Sequence, residues 1–367
     1  MIGVGGVTQA EQKADSERRN EGMHKSDKMR LRVNFIINEL PDPLLENVER
    51  IVCVWIGRLG DLIVATPALR SIRVRFPQAH IVLVVGEKGQ EIAQFLPEAG
   101  EVLVLRSAAH PLQNLRVLSE LRRPAQLFID FNPSFSRASL ALAAIANART
   151  KLAFDKRKGR WAYSHLLKAP EDTEHMLDRY GRLAGALKAP YDPTPRIQIR
   201  DEFRRKARNV LAPLIDSTLG ARKILIHPGN FKKFDNRWPE EKFVELTNRL
   251  LDVKDVQVMY MAGPGEEKEV AGIVARLKRP VPVIAPLPVG TTAALLSFMN
   301  LLIVNATGTT HLAVAVGTPT FSLLSKYTKT VWMPRSGPHL SVVSDSWTSC
   351  RDISVDAAWE KLQPLLG

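Results

Sequence analysis

Cysteine is scarce in this chain of 367 residues, which contains only Cys53 and Cys350. Two cysteines are too few for a disulfide framework, and they fit a reducing compartment. The chain also has no apolar run of about eighteen residues, so no transmembrane helix is expected. At the N-terminus no basic segment precedes an apolar core, and we predict no signal peptide. These absences together lead us to expect a cytoplasmic protein.

The sequence also lacks the short motifs of several protein classes. The dinucleotide fingerprint G-x-G-x-x-G is missing, which disfavours a nicotinamide-dependent dehydrogenase, and no Walker lysine pattern indicates a P-loop NTPase. There is no D-x-D motif, no cluster of Cys and His ligands and no G-x-S-x-G elbow. The signatures of nucleic-acid-binding folds are absent as well. We therefore expect no metal site, no cofactor and no specific nucleic-acid partner.

Basic residues outnumber acidic ones. Lys and Arg total 51 and Asp and Glu total 38, which gives a formal net charge of +13. This balance favours anionic partners such as phosphates, nucleic acid or acidic membrane surfaces, without choosing among them. Hydrophobic residues make up 45% of the chain, as in an ordinary globular protein. The length then predicts two domains, each with its own core.

Two series of short apolar strands alternate with helices, one over residues 51–130 and one over residues 223–316. This alternation predicts parallel sheets covered by helices on both faces. We predict an α/β protein with two Rossmann-like domains, whose parallel sheets face a central cleft at the carboxyl ends of their strands. The proline-containing segment 189–203 joins the two series.

The expected domain boundaries follow from these patterns. They are a polar, partly disordered leader at residues 1–48, an N-terminal acceptor-binding domain at 49–195 and a C-terminal donor-binding domain at 196–367. An alternative for the final residues is that they pack back on the N-terminal domain.

The first candidate site is the turn at residues 57–61, which reads G-R-L-G-D between a strand and a helix. Its glycines permit a tight turn and a close approach of the backbone to a ligand. Asp61 is placed to take a proton from an acceptor hydroxyl at the mouth of the cleft. The alternative is purely structural, because Asp is a favoured helix N-cap.

The second candidate is the segment 305–311, which reads N-A-T-G-T-T-H and precedes another helix. Small residues, hydroxyl groups and free amides at a helix N-terminus favour the binding of a phosphate. The alternative is ordinary capping by threonine, with His311 as a structural histidine.

Two further loops follow strands of the second series. The loop at 227–230, H-P-G-N, precedes Lys232, Lys233 and Arg237, where a phosphate could bind, although a charge run is usually a solvated loop. The loop at 262–267, A-G-P-G-E-E, brings a carboxylate that could bind ribose hydroxyls, although a turn before an acidic helix start explains the same pattern.

A basic segment near residue 150 is predicted to be a positively charged loop of the first domain. It is either solvated or a binding site for an anionic acceptor. Its basic residues are Arg149, Lys151, Lys156, Arg157, Lys158 and Arg160.

In their order along the chain, these segments resemble the family 9 glycosyltransferases, which include heptosyltransferases of the lipopolysaccharide inner core. The matching segments are 60–63 (G-D-L-I), 66–69 (T-P-A-L), 128–130 (F-I-D), His175 with 178–180 (D-R-Y), 227–229 (H-P-G), 238–240 (W-P-E), 263–266 (G-P-G-E), 307–308 (T-G), 311–313 (H-L-A) and 317–319 (G-T-P). Each motif alone is weak, but their ordered combination over residues 50–345 is fairly specific.

The resemblance implies a GT-B fold and an inverting, metal-independent glycosyltransferase. It would move a heptose or a related sugar from an ADP-sugar, its only co-substrate, to an anionic glycolipid such as the lipopolysaccharide inner core. We expect a monomer in the cytoplasm, with peripheral contact to the cytoplasmic face of the inner membrane as an option.

Carried over to this sequence, the resemblance implies Asp61 as the catalytic base. The expected donor-binding residues are Asn230, Arg237, Glu266, Thr307, Gly308, Thr309, Thr310 and His311. The expected acceptor-binding residues are Gly60, Lys156, Arg157, Lys158 and Arg160. The chain departs from the family at Ala306, where Asp is usual, and at Asn236, where Lys is common. These departures keep two alternatives open, a degenerate protein that binds nucleotide-sugars without turnover and a transferase with another donor or acceptor.

Overall fold

A computed structural model describes residues 35–107, 109–215, 222–229, 236–335 and 337–366. The predicted donor contact Asn230 and the neighbouring Lys232 and Lys233 lie outside the described residues. Most of the predicted leader, residues 1–34, also lies outside them.

Seven parallel strands form the first sheet, in the spatial order β1-β7-β6-β5-β2-β3-β4. They are β1 (Phe35–Ile37), β2 (Arg50–Trp55), β3 (His80–Gly86), β4 (Glu101–Leu105), β5 (Ala125–Asp130), β6 (Ala148–Phe154) and β7 (His165–Leu167). The central strands are continuous apolar runs because helices cover both of their faces. Since all strands are parallel, their carboxyl ends lie along one edge of the sheet.

Six described α-helices precede the second sheet along the chain. They are α1 (Leu59–Arg75), α2 (Gln90–Ala93), α3 (Leu115–Arg122), α4 (Arg137–Ile145), α5 (Met176–Ala186) and α6 (Asp201–Leu211). Helix α1 follows β2 directly, and nearly all of its residues from Gly60 to Ile72 are buried. It therefore runs through the interior, with its first turn at the carboxyl edge of the sheet.

The second sheet has six parallel strands in the order β10-β9-β8-β11-β12-β13. They are β8 (Arg222–His227), β9 (Val256–Met261), β10 (Val283–Ile284), β11 (Leu301–Asn305), β12 (Thr320–Leu324) and β13 (His339–Val343). Its helices are α7 (Glu240–Leu250), α8 (Glu267–Val274), α9 (Val289–Leu296), α10 (Gly308–Ala315), α11 (Lys326–Trp332) and α12 (Val355–Leu362). Two parallel α/β sheets are thus confirmed as the fold class.

The ends of the described chain differ from the sequence-based expectation. Residues 35–48 were assigned to the polar leader, yet Phe35–Ile37 pairs with β7 and Leu40 is buried in the first core. The apolar piece Phe35–Ile37 has only three residues, too few to be recognised as a strand. At the other end, α12 packs against α7 and β13 of the second sheet rather than back on the first domain.

Residues 189–203 carry the chain from the first half to the second, and hydrogen bonds fix their path. The amide of Arg196 donates to Thr66 Oγ1 in the middle of α1, at 3.2 Å. The amide of the next residue, Ile197, donates to the carbonyl of Ala315 at the end of α10, at 3.3 Å. This connection is therefore bonded to one helix from each half.

None of the helices in the part of the chain that the structure describes has the length and hydropathy that a bilayer crossing requires.

Candidate functional site

A cleft of about 660 Å³ lies where the carboxyl edges of the two sheets meet. Its wall from the first half consists of Arg58, Gly60 and Asp61, at the start of α1. The second half supplies the remaining lining residues, from the loops after β8, β9 and β11 and from β12 and α11. Ligands of open α/β sheets bind at this edge of the strands, so the cleft has the position expected for a substrate site.

The turn after β2 holds the first wall in place. The indole ring of Trp55 folds over Gly57, where a Cβ would lie 2.1 Å from the ring. Arg58 is the N-cap of α1 in an extended conformation, and it points the chain into the helix. Asp61 then falls in the first turn, where the partial positive charge of the helix N-terminus stabilises a carboxylate.

Asp61 also acts on a buried tyrosine of α5. Burial raises the pKa of the Tyr180 hydroxyl, and the negative charge of Asp61 adds to that rise. Trp55 Nε1 donates a hydrogen bond to the Tyr180 hydroxyl at 3.2 Å and opposes the shift. Asp61 thus lies near a buried, neutral Trp–Tyr pair.

The opposite wall is the start of α10. Thr307 is its N-cap, and its amide donates to Thr310 Oγ1 at 3.5 Å. Thr310 Oγ1 in turn donates to the carbonyl of Asn305 at 3.2 Å. Thr307, Gly308, Thr310 and His311 line the cleft, whereas Thr309 is not among the lining residues. Backbone amides that are left without an intrahelical partner at a helix N-terminus can receive an anion.

The two walls touch through glycines. A Cβ placed on Gly60 would lie 3.0 Å from the Cα of Gly308 and 3.2 Å from His311 Cδ2. A Cβ on Gly308 would make only ordinary contact with Gly60, at 3.8 Å or more, so it is the missing side chain of Gly60 that permits this approach of the helix N-termini. Gly60, predicted to contact the acceptor, therefore has a packing role in this structure, and its acceptor contact stays a prediction.

His311 is neutral in this environment. Burial, with a smaller contribution from His175, lowers its pKa from 6.5 to about 4. The ring of Trp332 lies against it, with centroids 5.7 Å apart. At neutral pH the imidazole can therefore exchange hydrogen bonds with a ligand but cannot supply a positive charge.

His175 links the two halves behind this wall. Its Nδ1 accepts the amide hydrogen of Leu177 at 3.2 Å, so Nε2 carries the proton and donates to the carbonyl of Met333 at 2.9 Å. Burial lowers its pKa. The contact fixes the segment after α11 beside the cleft.

Glu266 is held by a compact cluster at the far end of the cleft. Its Oε2 accepts the amide hydrogen of Gly263 at 3.0 Å and lies 3.1 Å from His227 Nε2. A Cβ on Gly229 would lie 2.8 Å from the same carboxylate oxygen. The carboxylate is only partly buried, so it can also accept hydrogen bonds from a ligand.

Other predicted site residues lie elsewhere. Arg237 is not among the cleft-lining residues, and its guanidinium lies 3.8 Å from Glu240. The neighbouring Asn236 and the departure Ala306 both line the cleft. The two positions where the chain departs from the pattern that it resembles thus face the cleft.

The structure corrects the prediction of a basic loop near residue 150. Arg149 and Lys151 belong to strand β6. The side chain of Lys156 is 3% exposed and pairs with the buried Asp130, so it offers no charge to solvent. The segment was expected to be solvated or to bind an anionic acceptor, but Lys156 is instead buried against Asp130, which offsets the cost of burying its charge.

The rest of that segment remains at the surface. Arg157 and Lys158 are exposed, and Arg160 pairs with Asp155. This ion pair holds the pKa of Asp155 below its usual range. All three cations follow the carboxyl end of β6, at the sheet edge that carries the cleft.

The sequence did not reveal several lining residues. Tyr327 and Trp332 of α11 form an aromatic wall, and Glu269 lies one turn beyond Glu266. No local sequence motif marks these helices as part of a binding site, so their sequences indicate only packing. Within the described residues no group of three His, Cys, Asp or Glu side chains could hold a metal ion.

Comparison with known proteins agrees with this geometry. The family model described as Glycosyltransferase family 9 (heptosyltransferase) matches residues 115–354. Lipopolysaccharide heptosyltransferase 1 of Campylobacter coli is 23% identical over 290 residues, which cover 75% of this chain and 83% of that protein.

Solved structures share the two-sheet architecture, the GT-B fold. A family 9 glycosyltransferase from Veillonella parvula superposes with a TM-score of 0.78, at 21% identity over 90% of this chain and 99% of that one. The E. coli ADP-heptose lps heptosyltransferase II gives 0.70, at 18% identity over 86% and 98% of the chains. The E. coli heptosyltransferase WaaC with ADP gives 0.62, at 17% identity over 86% and 97%.

Proposed function

Because the chain belongs to glycosyltransferase family 9, we propose that it moves a heptose or a related sugar from an ADP-sugar to an anionic glycolipid, with inversion and without a metal ion. The observation that carries the proposal is the meeting of two walls in one cleft. A carboxylate, Asp61, stands on one wall, and a helix N-terminus suited to phosphate, at Thr307 and Gly308, stands on the other.

In this proposal the donor's diphosphate binds against the amides at the start of α10. As the bond between the anomeric carbon and the phosphate oxygen breaks, negative charge develops on the leaving ADP. Fixed amide dipoles and the cation of Arg58, which also lines the cleft, stabilise that charge. Neutral His311 contributes a hydrogen bond rather than a charge.

Asp61 accepts the proton of the acceptor hydroxyl as that oxygen attacks the anomeric carbon. The attack comes from the face opposite the leaving phosphate, so the configuration at this carbon is inverted. Asp61 lies in the first turn of α1, where a negative charge interacts favourably with the helix N-terminus. The products are the glycosylated acceptor, ADP and a protonated Asp61.

The donor assignment is supported by Glu266 and by solved relatives. Its partly exposed carboxylate is suited to ribose hydroxyl groups. One solved relative holds ADP, and another structure of the same protein holds ADP-2-deoxy-2-fluoro heptose. For the acceptor, the exposed cations Arg157, Lys158 and Arg160 fit the phosphates or carboxylates of a glycolipid such as the lipopolysaccharide inner core, at the cytoplasmic face of the inner membrane.

The test is Asp61→Asn, with Asp201→Asn as a matched control. Both carboxylates lie in the first turn of a helix, but Asp201 is exposed and does not line the cleft. Removal of a general base costs about 10²- to 10⁴-fold in rate. We expect that loss in kcat for Asp61→Asn and unchanged kinetics for the control, measured by mass spectrometry of the products from ADP-sugars and core acceptors. Transfer by folded Asp61→Asn within about tenfold of wild type refutes the assigned base.

A second candidate is a protein that binds the nucleotide-sugar without turnover. It is favoured by Ala306 and Asn236, which line the cleft where the family usually has Asp and Lys. Calorimetric binding of an ADP-sugar, with neither transfer nor hydrolysis by the same preparation, would select this candidate. Restoration of transfer by Ala306→Asp would show that the acid was the missing part.

A further inference from the structure

The carboxylate of Asp130 is the centre of a buried polar network next to the cleft. Asp130 ends β5 and is fully buried. Its Oδ2 accepts hydrogen bonds from Lys156 Nζ at 2.5 Å and from the Tyr163 hydroxyl at 2.6 Å. Its Oδ1 accepts from the amide and from the side-chain Nδ2 of Asn132, at 2.9 and 2.7 Å. Four donors thus satisfy one carboxylate.

This arrangement dictates which way Asn132 points. Because its Nδ2 donates to Asp130, its Oδ1 is turned away from the carboxylate. That oxygen accepts the amide hydrogen of Ile56 at 2.9 Å. Ile56 lies between the end of β2 and Gly57, at the start of the turn that leads to Asp61.

The network joins three loops of the carboxyl edge, those after β2, β5 and β6. Lys156 comes from the loop after β6, and its positive charge balances Asp130 in the interior. A buried carboxylate without that charge would be costly, and breaking such a pair generally perturbs its surroundings. Within this network Asn132 makes the hydrogen bond to the turn, through the amide of Ile56.

We propose that Asn132, oriented by the Asp130–Lys156 pair, is a positioning residue that sets the turn carrying Asp61. It does not touch substrate. Its effect is on the placement of the carboxylate relative to the donor wall, and in that respect the inference rests on the proposed function. A displacement of about 1 Å at a reacting group can cost on the order of 100-fold in rate.

The first experiment compares two buried lysines. Lys156→Met removes the partner of Asp130, whereas Lys151→Met removes a lysine of β6 that is 8% exposed and donates to the Ala143 carbonyl at 2.7 Å. Both variants are expected to lose stability. Only Lys156→Met is expected to lower kcat, by about 10- to 100-fold, with the donor KM within about threefold of wild type. Equal losses of kcat in the two variants overturn the proposal.

The second experiment uses Asn132→Asp, which keeps the size of the side chain but places two carboxyl groups side by side. Two carboxylates this close share a proton, so the native hydrogen-bond pattern returns as the pH falls. The ratio of variant to wild-type kcat is therefore expected to rise from about pH 8 to about pH 6, whereas a merely weakened fold gives a flat or falling ratio. A flat ratio overturns the proposal. The other titratable groups at the pair are Lys156 and Tyr163.

A readout without turnover separates this inference from the proposed function. Hydrogen–deuterium exchange of the peptide containing residues 56–61 is expected to speed up in Asn132→Ala and Lys156→Met and to stay unchanged in Lys151→Met. If the wild type transfers no sugar, the proposed function fails, and this exchange pattern still decides the role of Asn132. Unchanged exchange in Asn132→Ala overturns it.

Discussion

The glycine contact between the two walls makes Gly60→Ala the sharpest test of the cleft's geometry. The added Cβ would meet the Cα of Gly308 at 3.0 Å and His311 Cδ2 at 3.2 Å. Carbon atoms pack best at about 3.5–4.0 Å, so the helices must separate by a few tenths of an ångström. The first neighbour is backbone and cannot rotate away. The separation therefore moves the wall carrying Asp61 relative to the donor wall.

The expected change in stability is small and the change in rate is large. Overpacking costs about 1–3 kcal/mol, and replacing glycine by alanine in a helix returns about 0.5–1 kcal/mol. The free energy of unfolding is thus expected to fall by only about 0–2.5 kcal/mol. A shift of a few tenths of an ångström between the reacting groups is expected to lower kcat by up to about tenfold. Steady-state transfer kinetics and urea denaturation measure the two quantities.

Gly185→Ala is the matched control, since Gly185 lies in α5 and a Cβ there meets nothing within 4 Å. It is expected to gain about 0.5–1 kcal/mol and to keep wild-type kinetics. Wild-type kcat in a folded Gly60→Ala protein would show that the walls are not in contact during turnover.

Two further predictions concern titration and donor binding. Because the pKa of His311 falls from 6.5 to about 4 on folding, the unfolded chain binds more protons between these values. The free energy of unfolding should therefore fall as the pH drops from 6.5 towards 4, by up to about 3 kcal/mol. Urea denaturation across that range should show this slope weakened in His311→Gln, and parallel curves would contradict the assigned shift. Glu266→Gln should raise the donor KM about tenfold or more with little change in kcat, because a hydrogen bond to a charged acceptor is weakened. The control is Glu267→Gln, a substitution of the exposed neighbouring residue. Equal donor KM values in the two variants would show that Glu266 does not bind the donor.

The sequence predicted most of the fold because its strands are uninterrupted apolar runs between turn residues. Strand β6 was mistaken for a basic loop, since Arg149 and Lys151 interrupt its apolar pattern. The ammonium group of Lys151 reaches the carbonyl of Ala143 while its methylene groups stay in the core. Strands β1 and β7, of three residues each, carry too short a pattern to be recognised.

The sequence predicted those parts of the candidate site whose functional residues lie together in a single loop. Asp61, Glu266 and the start of α10 each follow a strand, and all of them line the cleft. Trp332 reaches the same cavity through tertiary packing, which no local motif encodes. For the same reason Lys156 was taken for a surface cation, because its partner Asp130 is 26 positions away in the sequence.

The hydrogen bonds of the connection between the two halves, residues 189–203, limit how the cleft can open. Arg196 is bonded to the middle of α1 and Ile197 to the end of α10, and the N-termini of these two helices meet at Gly60 and Gly308. We expect the two halves to move relative to each other by rotating about this helix pair, which would keep these contacts. Substrates would enter by a change in the angle between the sheets. The wall with Asp61 and the wall at the start of α10 would keep their relative position through each catalytic cycle. The enzyme would then need no separate step to bring these two walls together.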